Sequence, residues 1–179
     1  MGQTQDAIHH ALISDLCDLP SAERLITLLS LETPDGLKEY AGKEIGTSEW
    51  LTVTQERIKQ FATATEDRQW IHLDQERAKR ESPYKGTIAH GFLTLSLISR
   101  LSKDVIRVGS GAQLTVNYGL NRVRFPAPVR EGSKIRGHFS LLSFRNLGEA
   151  QEAVFTCIVE CEGNEKPCCV AEWIVRYSR

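Results

Sequence analysis

Residues 87–105, TIAHGFLTLSLISRLSKDV, decide how this chain is built. Through Leu101 the apolar residues fall on nearly every side of a helical projection, with breaks at Thr94, Ser96, Ser99 and Arg100. A helix that is apolar all round is buried on all sides. The run falls short of the ~18 apolar residues of a membrane span. The pattern therefore predicts a long central helix over residues 87–105, around which the rest of the chain must wrap.

The wrapping material follows it. Beyond Gly109-Ser110-Gly111 the period changes to two, predicting strands over 112–125, 133–147, 150–162 and 168–178. Gly119 marks a bulge in the first of these. Phe155, Cys157, Val159 and Cys161 share one face of their strand, and Cys168, Val170 and Ile174 share one face of the last. Short turns between consecutive strands favour antiparallel pairing. Upstream, 44–53 reads as a strand, and Thr54 caps a helix with Ile58, Phe61, Ala62 and Thr65 on one face. Residues 67–73 are irregular, and Asp74 caps a short helix through Arg80. The sum is an α+β layer structure.

With 179 residues the chain is expected to hold one main domain, residues 37–179. Residues 1–36 read as a helical extension, with Ile8, Leu12 and Leu16 at helical spacing, a second helix start near Pro20, and a breaker at Thr33-Pro34-Asp35-Gly36. Lys+Arg is 22 against Asp+Glu 23, for a net charge of -1, which speaks against a nucleic-acid partner and a polybasic membrane anchor. The start lacks a basic signal-peptide region, so a cytoplasmic location without membrane attachment is expected. Four of five cysteines, Cys157, Cys161, Cys168 and Cys169, cluster late in the chain. Their spacing does not suit a zinc site, and they read as small apolar residues on strands.

Chemistry concentrates in residues 61–96. Asp67 and His72 stand five apart, which on one helix would point them about 140° from each other, so joint action requires the chain to turn back between them. A carboxylate and an imidazole so placed can hold one water, and imidazole exchanges protons near neutrality. His90-Gly91 opens the central helix, where unpaired N–H groups carry partial positive charge and glycine leaves room for a carbonyl oxygen. Each residue also has a plain structural reading. Asp67 can end a helix, His72 can be a satisfied loop histidine, His90 can cap or pack, and Ser96 can bond back to its own turn. Arg122 and Arg124 read as solvated strand residues, and His138 as a surface residue. No dinucleotide, P-loop, metalloprotease or serine-hydrolase motif is present.

The run Phe61…Asp67-x4-His72-x-Asp74…Ile88-Ala89-His90-Gly91-Phe92-Leu93 resembles the MaoC-like (R)-specific enoyl-CoA hydratases. The later run Tyr118-Gly119-Leu120-Asn121-Arg122-Val123-Arg124-Phe125-Pro126-Ala127-Pro128-Val129 is similar to their NodN-like and mycobacterial branch. The resemblance implies a hot-dog fold, in which an antiparallel sheet of about five strands wraps the long helix. It also implies a homodimer acting on an acyl-CoA thioester, with Asp67 and His72 as the catalytic pair. His90, Gly91 and Ser96 fall on the substrate side, Gly91 supplying its N–H to the thioester oxygen. No metal or redox cofactor is implied, because the substrate carries its own CoA. The family's usual Asn-Pro after the aspartate is Gln69-Trp70 here, which leaves the loop geometry and acyl preference open. A hot-dog thioesterase and a non-catalytic acyl-CoA-binding protein are the alternatives. The thioesterase usually needs an acid on or beside the central helix, and residues 87–102 hold none.

Overall fold

The central helix begins four residues later than its apolar pattern suggests. In the computed structural model, which describes residues 28–109 and 111–178, α4 spans Gly91–Leu101 and ends in a 3-10 turn at Ser102–Asp104. Residues 87–90 are extended instead. The N–H of Ile88 donates to the Ile71 carbonyl at 3.1 Å, and that of Ala89 to the Val129 carbonyl at 2.8 Å. Bonds to neighbouring loops thus replace the helical turn that the side chains alone would favour.

Six strands form one antiparallel sheet in the order β2-β6-β7-β8-β5, with β3 pairing further along β6. They are β2 (Lys43–Thr47), β3 (Leu51–Thr52), β5 (Leu114–Arg124), β6 (Lys134–Asn146), β7 (Ala150–Cys161) and β8 (Cys169–Ser178). The expected single strand over 44–53 is therefore two. Between them the Ser48 hydroxyl accepts the Gly137 N–H and the Ser48 N–H donates to the Gly137 carbonyl, both at 2.9 Å. A side chain takes over one rung of the ladder, and the strand restarts beyond it.

The register slips between Asn117 and Gly119, so the bulge expected at Gly119 is present. A separate parallel pair joins β1 (Leu29–Leu31) to β4 (Ile106–Val108). This corrects the helical reading of the segment just before Gly36, and a 3-10 helix at Pro34–Tyr40 runs through the expected boundary at residue 37. The helices expected within residues 1–27 lie outside the described residues.

α4 packs Leu93, Leu97, Ile98 and Leu101 against Phe139 of β6, Phe155 and Cys157 of β7, and Ala171 and Val175 of β8. A helix wrapped by an antiparallel sheet is the hot-dog arrangement. In β8 the core takes Cys169, Ala171, Val175 and Tyr177, the opposite parity to Val170 and Ile174. Cys157, Cys161, Cys168 and Cys169 are buried free thiols, and burial pushes Cys169 up to about 12. Such thiols pack rather than react. α4 is not buried all round, however. Phe92 is 70% exposed, Leu120 of β5 is exposed beside it, and Leu114 and Val116 of β5 are exposed on the other face of the sheet.

One charged ladder ties the sheet laterally. Glu152 of β7 is 1% exposed and lies opposite Arg145 of β6 and Arg176 of β8. Each arginine donates from Nε to its carboxylate at 2.8 Å, and the Arg176 guanidinium lies 3.2 Å over the Tyr118 ring of β5. Stranding a buried charge costs ~3–5 kcal/mol. Glu152→Ala leaves instead two arginines that reach water, 63% and 32% exposed, so it is expected to cost less, about 1.5–3 kcal/mol by urea denaturation. A loss under about 0.5 kcal/mol, the range of an ordinary surface substitution, would show that the ladder does not tie the strands.

Candidate active site

The loop that carries Asp67 exists because α1 (Gln55–Thr65) stops abruptly. Thr54 caps its start, accepting the Arg57 N–H, and Glu66 takes a left-handed φ of 61° that ends it. The chain reverses and forms a single turn, α2 (Trp70–Leu73), inside the segment expected to be irregular. Asp74 then caps α3 (Gln75–Glu81) through the Arg77 N–H at 3.0 Å. The Arg77 guanidinium covers the Trp70 ring at 4.3 Å, so the Gln69-Trp70 departure is packed into this turn.

His72 is 7% exposed and held from two sides. Its Nδ1 donates to the Ile88 carbonyl at 2.7 Å, which leaves Nε2 with the free lone pair. Gln55, at the start of α1, donates to the His72 carbonyl at 2.8 Å and accepts the Thr87 hydroxyl at 2.6 Å. Gln55 carries no signal in the sequence. A glutamine at a helix start is commonplace, and its partners stand 17 and 32 positions away.

The fold brings Asp67, His72 and His90 together. One carboxylate oxygen and one ring nitrogen from each histidine all lie within 4.8 Å of one another. Two hydrogen bonds of ~2.8 Å through one water span that gap. The His72 and His90 rings stack with centroids 3.7 Å apart and planes 26° from parallel. Their in-plane lone pairs therefore run side by side instead of converging on one cation at ~2.1 Å. The donor set suits a water or a proton better than a metal. Asp67 is the open member, with its side chain 57% exposed, while His90 is 3% exposed.

Gly91 is the first residue of α4, and the helical bonds begin after it, with Leu93 and Thr94 donating to the His90 carbonyl. The Gly91 N–H thus stands at the positive end of the helix. The space beside its Cα is not open as expected. A Cβ there would meet the Phe125 ring at 3.0 Å, so glycine admits Phe125, and a carbonyl oxygen must approach along the N–H.

Ser96 does not join the pair. Its hydroxyl donates to the Phe92 carbonyl at 2.7 Å, the plain helical reading. It lines instead a cavity of about 170 Å³ with Leu95, Asn117, Leu120 and Trp173, between α4 and β5. His138 is also displaced from expectation. It is buried, with Nδ1 3.0 Å from the Thr47 hydroxyl and Nε2 3.2 Å from Glu160, because β6 lies between β2 and β7 and His138 stands opposite Thr47 in the ladder.

Burial lowers the His72 pKa, its bond to the Ile88 carbonyl opposes this, His90 lowers it further and Asp67 raises it, for a net value below the ordinary 6.5. The folded imidazole therefore holds its proton less tightly than the unfolded one. Its contribution to stability is complete above ~6.5 and is lost as the pH falls through the lower folded value. Histidine-selective NMR is expected to find His72 titrating below ~6.5, and a midpoint at or above that value would contradict the burial argument.

The MaoC like domain family matches residues 37–160. A 3-hydroxyacyl-thioester dehydratase Z of Mycobacterium tuberculosis is 49% identical over 149 residues, covering 83% of this chain and 97% of that protein. A nodulation protein N of Rhizobium leguminosarum is 46% identical over 134 residues, covering 74% and 83%. Among solved structures, a MaoC-like dehydratase from Rhodospirillum rubrum aligns with a TM-score of 0.61 at 22% identity, over 78% of this chain and 92% of the other. An (R)-hydratase from A. caviae aligns at 0.57 and 19% identity, over 74% and 95%. The domain match, the identity to the dehydratase and the helix-in-sheet fold agree, and the chain belongs to the MaoC-like family.

Proposed function

We propose that this protein is an (R)-specific hydratase of trans-2-enoyl thioesters, running in reverse as a 3-hydroxyacyl dehydratase. The observation that carries the reading is the placement of Asp67 and His72, within reach of one water, beside the N-terminus of α4. The named activities of the mycobacterial dehydratase and the (R)-hydratase support it.

In the hydration direction Asp67 and His72 hold the water. His72 Nε2 takes one of its protons as the oxygen bonds to C3 of the enoyl chain. The C2–C3 π electrons move onto the thioester as an enolate, whose oxygen the Gly91 N–H stabilises. The pair then returns the proton to C2, so no net proton is gained or lost. The thioester is the electron sink, and no metal or redox cofactor takes part. The carrier is CoA or a thioester-bearing carrier protein.

The open side of α4 belongs to the same reading. Phe92 and Leu120 leave an apolar surface beside the Ser96 cavity, next to β5 at the edge of the sheet, and we assign it to a second copy of the chain. The homodimer closes that cavity into a path for the acyl-thioester arm. We place the dimer in the cytoplasm. Among the described residues no helix is long and apolar enough to cross a membrane.

The test uses crotonyl-CoA, following the enoyl absorbance with a thiol reagent in parallel. Loss of the enoyl band without thiol release, giving the (R)-3-hydroxy product, is expected. Thiol release would establish a thioesterase, absence of both signals a binding protein, and mainly (S) product would overturn the stereochemical assignment. Asp67→Asn and His72→Gln are each expected to lower kcat by ~10²–10⁴-fold with circular dichroism unchanged, because a positioned acid–base group contributes that range.

A further inference from the structure

His90 was expected on the substrate side, yet its side chain is 3% exposed and faces inward. Its Nε2 donates to the main-chain carbonyl of Asp67 at 2.9 Å. One ring face lies against His72 at 3.7 Å, and Phe61 of α1 packs against the ring at 5.1 Å. Its Nδ1 is buried without a hydrogen-bond partner among the described residues. A buried imidazole with an unmet lone pair is an unfavourable component of a core, so packing alone does not account for a histidine here. What phenylalanine or leucine at this place would lack is the Nε2–H to Asp67.

Resting on the hydratase reading above, we infer that His90 is the positioning residue of the site: its Nε2–H fixes the Asp67 loop, its ring face fixes the His72 imidazole, and its backbone starts α4. One side chain thereby joins the water-holding pair to the helix that carries the Gly91 N–H. The separation between the attacking water and the thioester oxygen becomes a property of a single residue. Misplacing reacting groups by ~1 Å can cost ~10²-fold, which sets the scale of the effect.

The two contacts are separable by substitution. His90→Phe keeps a flat buried ring against His72 and removes the N–H to Asp67. His90→Gln retains an amide N–H able to reach the Asp67 carbonyl and removes the ring. The titratable groups acting on the His72 imidazole are Asp67, from the loop before α2, and His90 itself, while Gln55 of α1 bonds only its carbonyl. Removing the ring admits water to His72, which raises its pKa toward the ordinary value and moves the acid limb of kcat/KM to higher pH.

The experiment measures kcat, KM and the pH profile of crotonyl-CoA hydration for the full chain and both variants, with Asp67→Asn and His72→Gln alongside. His90→Phe is expected to lose ~10–10²-fold in kcat with KM within about threefold and the acid limb unmoved. His90→Gln is expected to shift the acid limb upward. Parent-like kinetics in His90→Phe overturn the inference while leaving the hydratase reading intact if Asp67→Asn and His72→Gln are impaired. Should those two remain fully active, both fall together. Histidine-selective ¹⁵N NMR of the unsubstituted protein gives an answer that does not depend on variant folding. The proton of neutral His90 is expected on Nε2, and finding it on Nδ1 overturns the clamp.

Discussion

The backbone hydrogen bonds that keep residues 87–90 extended position everything around the site. Ile88 and Ala89 donate to Ile71 and Val129, and the Thr87 carbonyl accepts the Glu131 N–H. Held this way, the Ile88 carbonyl is free to receive His72 Nδ1, and the His90 carbonyl is free to begin α4. Had these residues continued the helix, the Ile88 carbonyl would be directed along the axis toward a helical N–H. His72 would then lose the bond that selects its tautomer, and Gly91 would sit inside a helix with no free N–H to offer.

The same stretch explains why some of the molecule was legible in the sequence and some was not. The four strands after the central helix followed from period-two patterning. Short turns accounted for the antiparallel pairing of β6, β7 and β8 but not for β5, which pairs with β8. The caps at Thr54 and Asp74 followed from side chains that bond locally. The start of α4 did not, because helical apolarity in residues 87–90 is overridden by bonds to loops distant in sequence. The split at Ser48 and the burial of His138 likewise depend on pairing between the 43–52 segment and β6, about 90 positions apart.

At the site, the spacing of Asp67 and His72 showed that a reversal was needed, and the chain makes it with the left-handed Glu66 and the single turn α2. The grouping of His90 with them was half legible. Its place at a helix start was evident, but the contacts of its ring with His72 and of its Nε2 with Asp67 exist only in three dimensions. Gln55 was illegible for the same reason. Ser96 shows the converse, since a residue drawn in by resemblance alone turned out to bond its own helix while lining the neighbouring cavity.

The account rests on one water shared by two side chains, and a double-substitution cycle at Asp67 and His72 tests that directly. Groups that act as a unit are strongly non-additive, because removing one already disables the other. With Asp67→Asn, His72→Gln and the double variant all confirmed folded, the account predicts a double loss in kcat close to the larger single loss. A double loss equal to the product of the two would mean that the residues serve separate steps, and would contradict the shared water.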